Sequence, residues 1–398
     1  MGPLWRRWRR GGVGDVENVD KWMGCGQVGR KRGRGKGNVG GVWYGAPAFV
    51  SRRELSVGSG IMGCVRDFIH RLPKAELHVH LVGSASLDTV LELARRHPGQ
   101  AVPTDRERLR AFYEFTDFAH FIDVYVKVNQ LVVTGADVTA LAAGLARDLA
   151  ANQVRYAEVT VTPVPHLMMG IEPDELAEAL TRGREVALAE HGVVLAWVFD
   201  IAGSLGYDAG VATAEWVLRH RPAGTVGFGL GGHEVGVPRE RYRVPFEMAR
   251  DGGLHLVPHA GETTGPETIW SALRHLHAER IGHGTSAVRD PNLLAHLAGE
   301  GIPVEVCPSS NIRTRAVATM AEHPFPRLLD AGVPVTLATD DPGMFHTDLD
   351  REYLLVHEHF GLSRGDLADL ARAGVHAAFC DDDRKAALLA EIDAVERG

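Results

Sequence analysis

The 398-residue chain is 45% hydrophobic and 24% charged, the composition of a soluble globular protein with ample material for a core, and its formal net charge is −8. Residues 1–60 hold 12 basic and 4 acidic residues, so the rest carries 31 basic and 47 acidic ones, an acidic body that argues against nucleic acid as a partner. No apolar run reaches the ~18 residues of a membrane span, and the four scattered cysteines (Cys25, Cys64, Cys307, Cys380) form no C-x-x-C pair, which favours a reducing, cytoplasmic setting.

Residues 1–61 are rich in Gly and Arg and follow neither a helical nor a strand period. The segment Gly29–Gly37 is low complexity and has too little apolar surface to offset the entropy of ordering the chain. A disordered tail is expected there, translated from upstream of a natural start at Met62. A nucleic-acid-binding arm is the alternative. One folded domain is expected over 62–398.

From Met62 onward, short apolar runs alternate with longer amphipathic stretches. Eight strands are expected, over Glu76–His80, Val154–Val161, Val194–Asp200, Thr225–Leu230, Leu254–His259, Arg280–His283, Pro303–Cys307 and Pro334–Thr339. Helices are expected between most of them, among them Asp137–Ala150, Glu175–Glu190, Ala209–His220, Thr268–His277 and Pro291–Glu300. Eight strand–helix repeats predict an α/β fold, a parallel (β/α)8 TIM-type barrel with helical insertions. An open doubly wound sheet is the rival, but it would want a G-x-G-x-x-G or P-loop after an early strand, and neither is present. Phe112, Phe115, Phe118 and Phe121 recur every three residues, either as a helix core stripe or as an apolar wall over a substrate.

The polar residues at the predicted strand ends carry the chemistry. His78 and His80 stand two apart in an apolar strand, so both rings face one side. The fifth strand ends in His259-Ala260-Gly261-Glu262, the sixth in His283 and the eighth in Thr339-Asp340-Asp341-Pro342. In a barrel enzyme the C-terminal strand ends form the active site. Three imidazoles (His78, His80, His259) and the Asp340 carboxylate suit a zinc-like divalent ion with a position left for water. His283 can accept or orient a proton of that water, Glu262 can protonate the substrate, and Asp341 can bond a substrate ring nitrogen. The His357-Glu358-His359 triplet reads as a solvated helix face, His255, His275, His277 and His323 as surface or loop residues, and Cys307 as a buried structural thiol.

These residues lie in Pro73-Lys74-Ala75-Glu76-Leu77-His78-Val79-His80, HAGET (259–263), RIGHG (280–284), EVCPSSN (305–311) and TDDP (339–342). In this order they closely resemble the adenosine deaminase family of metal-dependent hydrolases, over residues 62–398. The resemblance implies one Zn2+ held by His78, His80, His259 and Asp340. It implies Glu262 as proton donor to purine N1, His283 acting on the water at the metal, Asp341 at N7 and the Gly232 backbone near N3. The implied partner is a small purine nucleoside, with no nucleic acid and no membrane involved.

Two departures bear on the substrate. The family usually carries an aspartate for the ribose 5′-hydroxyl where this chain has Val82, and a DLAGDE-like segment where it has Gly229–Glu234. A charged group left without its partner costs about 1–3 kcal/mol, so a valine suits a nucleoside extended at the 5′ position. Within the family, HLVGSAS (80–86), FTDFAHF (115–121), GLGGHEVGVPR (229–239) and HAGETTGPET (259–268) resemble the actinobacterial aminodeoxyfutalosine deaminases of the futalosine route to menaquinone. That resemblance implies hydrolysis of 6-amino-6-deoxyfutalosine to futalosine and ammonia; Arg313 and Arg315 read either as partners for the carboxylate of the benzoate arm or as surface residues. Deamination of adenosine to inosine is the alternative, and a catalytically silent zinc-barrel binding protein is the reading of another class.

Overall fold

The computed structural model describes residues 59–398; residues 1–58, and with them most of the expected tail, lie outside the described residues. A helix over Ser59–Arg71 leads into the first of eight strands. They are β1 (Lys74–His80), β2 (Val154–Val161), β3 (Val194–Ala202), β4 (Thr225–Gly231), β5 (His255–Ala260), β6 (Ile281–His283), β7 (Val304–Val306) and β8 (Val335–Leu337). Each pairs with the next in chain order, and every pairing is parallel. A bridge between Val79 and Asp340 joins the last strand to the first: the Asp340 amide donates to the His78 carbonyl and the His80 amide donates to the Asp340 carbonyl, each at 2.9 Å. The predicted (β/α)8 barrel is therefore the observed fold, with all eight strands where the apolar runs placed them.

Strands buried on both faces read as continuous apolar runs, and β3 (VLAWVFDIA) is buried along all but its last residue. The surrounding helices have recognisable ends. Helix Gly135–Ala151 starts on a Thr134/Asp137 capping box, and helix Pro291–Glu300 starts on Asp290, whose carboxylate accepts the Asn292 and Leu293 amides. Helix Pro173–His191 stops at Gly192 in the left-handed conformation.

The long β1–β2 connection folds into four helices, Leu87–Arg96, Arg106–Phe112, Phe118–Asn129 and Gly135–Ala151. The phenylalanine repeat is split between two of them. Phe112 ends one helix, Phe115 lies in the turn, and Phe118 begins the next, so no single core stripe forms. Phe118, Phe121 and Tyr125 line a cavity at the C-terminal mouth of the barrel as an apolar wall, whereas Phe115 is buried in the core and Phe112 packs against it.

Candidate active site

The cavity is floored by the strand ends. His80, His259, Glu262, His283, Asp340 and Asp341 line it below the aromatic wall, and Gly231 and Gly232 close one side. His78 lies just beneath, 2% exposed. His78, His259, His283 and Asp340 each offer a ligand atom within 4.8 Å of the others, and His80, Asp340 and Asp341 form an overlapping set. His80 Nε2 is 3.3 Å from His259 Nε2 and 3.2 Å from the Asp340 carboxylate. Two ring nitrogens aimed at each other beside a carboxylate are what a shared cation satisfies. Among the described residues His78 Nε2 is buried without any hydrogen-bond partner, which the same cation would also relieve. The residues therefore fit a zinc-like ion. Asp340 and His283 hold left-handed backbone angles, φ 66° and 61°, a cost that site geometry imposes on non-glycine residues.

Hydrogen bonds assign the histidine tautomers. His78 Nδ1 is 2.8 Å from Glu305, so it carries the proton and leaves Nε2 as a lone pair facing the cluster. His283 is set from further away. The Phe325 amide donates to His323 Nδ1 at 3.2 Å, so neutral His323 carries its proton on Nε2 and donates it to Asn311 Oδ1, also at 3.2 Å. The Asn311 amide group then donates to His283 Nδ1 at 3.2 Å, which leaves the His283 proton on Nε2. His283 thus presents an N–H to the cluster rather than a lone pair. Proximity alone admits His283 as a ligand, but this polarity disfavours it and leaves His78, His80, His259 and Asp340. Neutral imidazoles are required at both positions: burial takes His323 down to about 4, and burial together with nearby histidines takes His283 down to about 3.

The acids are pushed apart. Burial would raise Asp340, but the histidines packed against it, His78 and His80 first, hold it well below the usual carboxylate range. Burial and the neighbouring Asp340 charge push Asp341 well above that range, and burial with the same neighbour does so for Glu262. Burial and neighbouring charge thus favour the ionised form of one carboxyl and the protonated form of the other two. Gly83 makes this packing possible, since a Cβ there would lie 1.5 Å from an Asp341 oxygen.

Glu262 sits on a loop hung from one buried side chain. The Glu234 carboxylate accepts the amides of Gly261 and Thr263 at 2.6 Å and of Thr264 at 3.2 Å, and it pairs with the wholly buried Arg239 at 3.3 Å. Behind His78, Glu305 accepts from Arg280 Nε at 2.7 Å, and Arg280 also reaches Glu158. Replacing Glu305 with Gln should weaken zinc binding ~10–100-fold, read by competition with a chromophoric chelator, because the His78 tautomer loses its anchor. Unchanged affinity would show that Glu305 does not orient the ligand.

Some expectations need correction. Val82 is buried in the core, 4% exposed, and is not among the residues that line the cavity. Arg313 and Arg315 are absent from the cavity as well. Arg313 bonds the Tyr113 carbonyl at 2.8 Å and Glu114 at 3.3 Å, and Arg315 is exposed. His323 is not a surface residue but is buried at 4% exposure. The other readings agree with the structure: Cys307 is fully buried, and Glu358 and His359 are exposed on helix Leu349–Phe360. Glu305, Asn311, His323 and Glu234 join the site only through the fold. The only sequence signals for them were an acid inside an apolar strand and the two motifs EVCPSSN and GLGGHEVGVPR.

A closed barrel with a buried histidine–aspartate group and proton-bearing acids at its strand ends defines a metal-dependent hydrolase of the barrel class. Residues 73–395 match the adenosine deaminase family model, and the chain belongs to that family. A protein named aminodeoxyfutalosine deaminase from Streptomyces coelicolor is 54% identical over 82% of this chain and 85% of its own length. One of the same name from Acidothermus cellulolyticus is 36% identical over 80% of this chain and 91% of its own length. An adenine deaminase from Hahella chejuensis is 35% identical over 83% and 98%. Among solved structures, an adenine deaminase from Arthrobacter aurescens superposes with a TM-score of 0.79 at 30% identity, covering 82% of this chain and 100% of that one. An amidohydrolase from Burkholderia ambifaria with bound Zn also gives 0.79, at 28% identity and coverages of 86% and 96%.

Proposed function

We propose that the chain is a zinc-dependent aminohydrolase that converts 6-amino-6-deoxyfutalosine to futalosine and ammonia, in the cytoplasm, on the futalosine route to menaquinone. The observation that carries this reading is the 54% identity to a relative of that name over most of both chains. The site chemistry supports it. His78, His80, His259 and Asp340 would hold the ion, which when bound brings the pKa of a water to about 7.

The remaining steps belong to the side chains. Water adds at purine C6; one of its protons leaves with the amino group as ammonia, and the other restores the Glu262 carboxyl as C6 becomes a carbonyl. Glu262, kept protonated by burial and the Asp340 charge, delivers its proton to N1 as the bond to C6 forms. Asp341, also protonated, donates to the lone pair of N7. The Gly232 amide faces N3 from a left-handed turn, φ 82°. The His283 Nε2–H orients the attacking oxygen, a role its tautomer favours over accepting a proton. The aromatic wall of Phe118, Phe121 and Tyr125 offers apolar faces to an aryl arm, and no carboxylate replaces Val82 to demand a free 5′-hydroxyl.

Ammonia release from aminodeoxyfutalosine, adenosine and adenine by the zinc-loaded protein tests the assignment. Its kcat/KM for aminodeoxyfutalosine should exceed the other two by at least ~10-fold, the discrimination that lost contacts to a substrate extension produce. Faster turnover of adenosine would transfer the assignment to the nucleoside. Faster turnover of adenine would transfer it to the free base, the substrate named for the relatives near 35% identity.

A further inference from the structure

The cavity has a polar corner that the chemistry above does not use. Thr162, just past the end of β2, and Asp200 on β3 both line it. Asp200 is only 3% exposed, and its Oδ1 accepts from the Thr162 hydroxyl. Its Oδ2 faces Gly231 of β4, 2.6 Å from where a Cβ would stand, and that same Cβ would lie 3.6 Å from the His259 ring. Glycine at 231 therefore keeps the carboxylate in open communication with the cavity. Among the described residues no arginine or lysine lines the cavity to pair with it. A buried carboxylate has several acceptor sites and needs donors for them, so the missing donors here are neutral ones.

The order of the strands says what those donors are, on the reading that Glu262, Gly232 and Asp341 meet N1, N3 and N7. These three residues stand at the ends of β5, β4 and β8. Around the purine rim from N1 the order is C2, N3, C4, N9, C8, N7. N9 lies between N3 and N7, so the sugar leaves the base over β1–β3, the strands from β4 round to β8 that carry none of the three contacts. In that arc β1 contributes His80, already assigned to the proposed ligand set, whereas β2 and β3 contribute Thr162 and Asp200.

We propose that Asp200, held by Thr162, is the specificity-determining residue for the sugar, accepting a hydrogen bond from a hydroxyl of the ribose 2′,3′-diol. The inference rests on the deaminase reading for the orientation of the base. It names a nucleoside, not a free base, as the ligand the site is built for.

Unreactive product-side ligands give the test. Dissociation constants of inosine, 2′-deoxyinosine, 3′-deoxyinosine and hypoxanthine are measured by calorimetry on the zinc-loaded protein and on Asp200→Ala, Asp200→Asn and Thr162→Val. The native protein should bind inosine ~10–100-fold more tightly than at least one deoxyinosine, the margin expected when a buried acceptor loses its donor. Asp200→Ala should shrink that gap to within ~3-fold and leave hypoxanthine binding within the same factor, and Thr162→Val should narrow it part of the way. Equal weakening of all four ligands would assign Asp200 to the base or to the fold, and a native protein indifferent to the ribose hydroxyls would remove the subsite. If Asp200→Ala does not fold, the near-isosteric Asp200→Asn and Thr162→Val carry the comparison. A collapsing gap without turnover of aminodeoxyfutalosine would retain this subsite and discard the proposed substrate; turnover with an unmoved gap would do the reverse.

Discussion

Glu262→Gln should lower kcat by ~10²–10⁴-fold while zinc content stays at one per chain and substrate affinity changes little. The amide keeps the shape of the carboxyl and leaves the loop anchored by Glu234, so the loss isolates a proton. Glu262 is 7% exposed and held well above the usual carboxylate range by burial and the Asp340 charge. It therefore carries its proton at neutral pH, and raising the pH through its elevated pKa removes the acid. The native kcat should fall on the alkaline side for this reason, and the residual activity of Glu262→Gln should lack that limb. A variant that keeps native kcat would show that N1 is protonated from elsewhere.

Arg280→Met should destabilise the folded domain by about 3–5 kcal/mol, the cost of leaving buried carboxylates without their cation. Arg280 is 1% exposed, and its guanidinium bonds Glu305, Glu158 and the Ala377 carbonyl and stacks 3.9 Å over Phe379. Burial alone would raise Glu305, but Arg280 and His78 hold it below its ordinary range. A depressed carboxylate contributes stability above its unfolded pKa and loses it as the pH falls through the folded one. In the variant the sign reverses: the stranded acids cost most when ionised and least once protonated. The loss of urea midpoint should thus be larger at pH 8 than at pH 5. A uniform loss across that range would point to packing over Phe379 rather than to charge.

Much of this site is visible in the sequence because of one rule. Polar residues at the ends of apolar strands have few reasons to be there, so His78, His80, His259, Glu262, His283, Asp340 and Asp341 stand out as a set. The structure gathers all seven at one end of the barrel. What escapes is polarity and direction. Nothing in the local sequence says that His323 turns inward, or that a Phe325 amide fixes the proton of His283 through Asn311. Asp200 escapes for the same reason: it becomes informative only when the glycines of β4 are seen to leave it room. Val82 shows the opposite case, since a position inferred from a motif can be buried in the core instead of lining the cavity.

The seam that joins β8 to β1 has a consequence in time. Asp340 closes the barrel with its backbone and completes the proposed ligand set with its side chain, opposite the strand that supplies His78 and His80. A growing chain displays those two histidines early, yet cannot enclose a metal until Asp340 has been synthesised and the barrel has shut. During synthesis the histidine pair is at most a weak, open chelator. Enclosure of the proposed metal would therefore have to follow closure of the barrel.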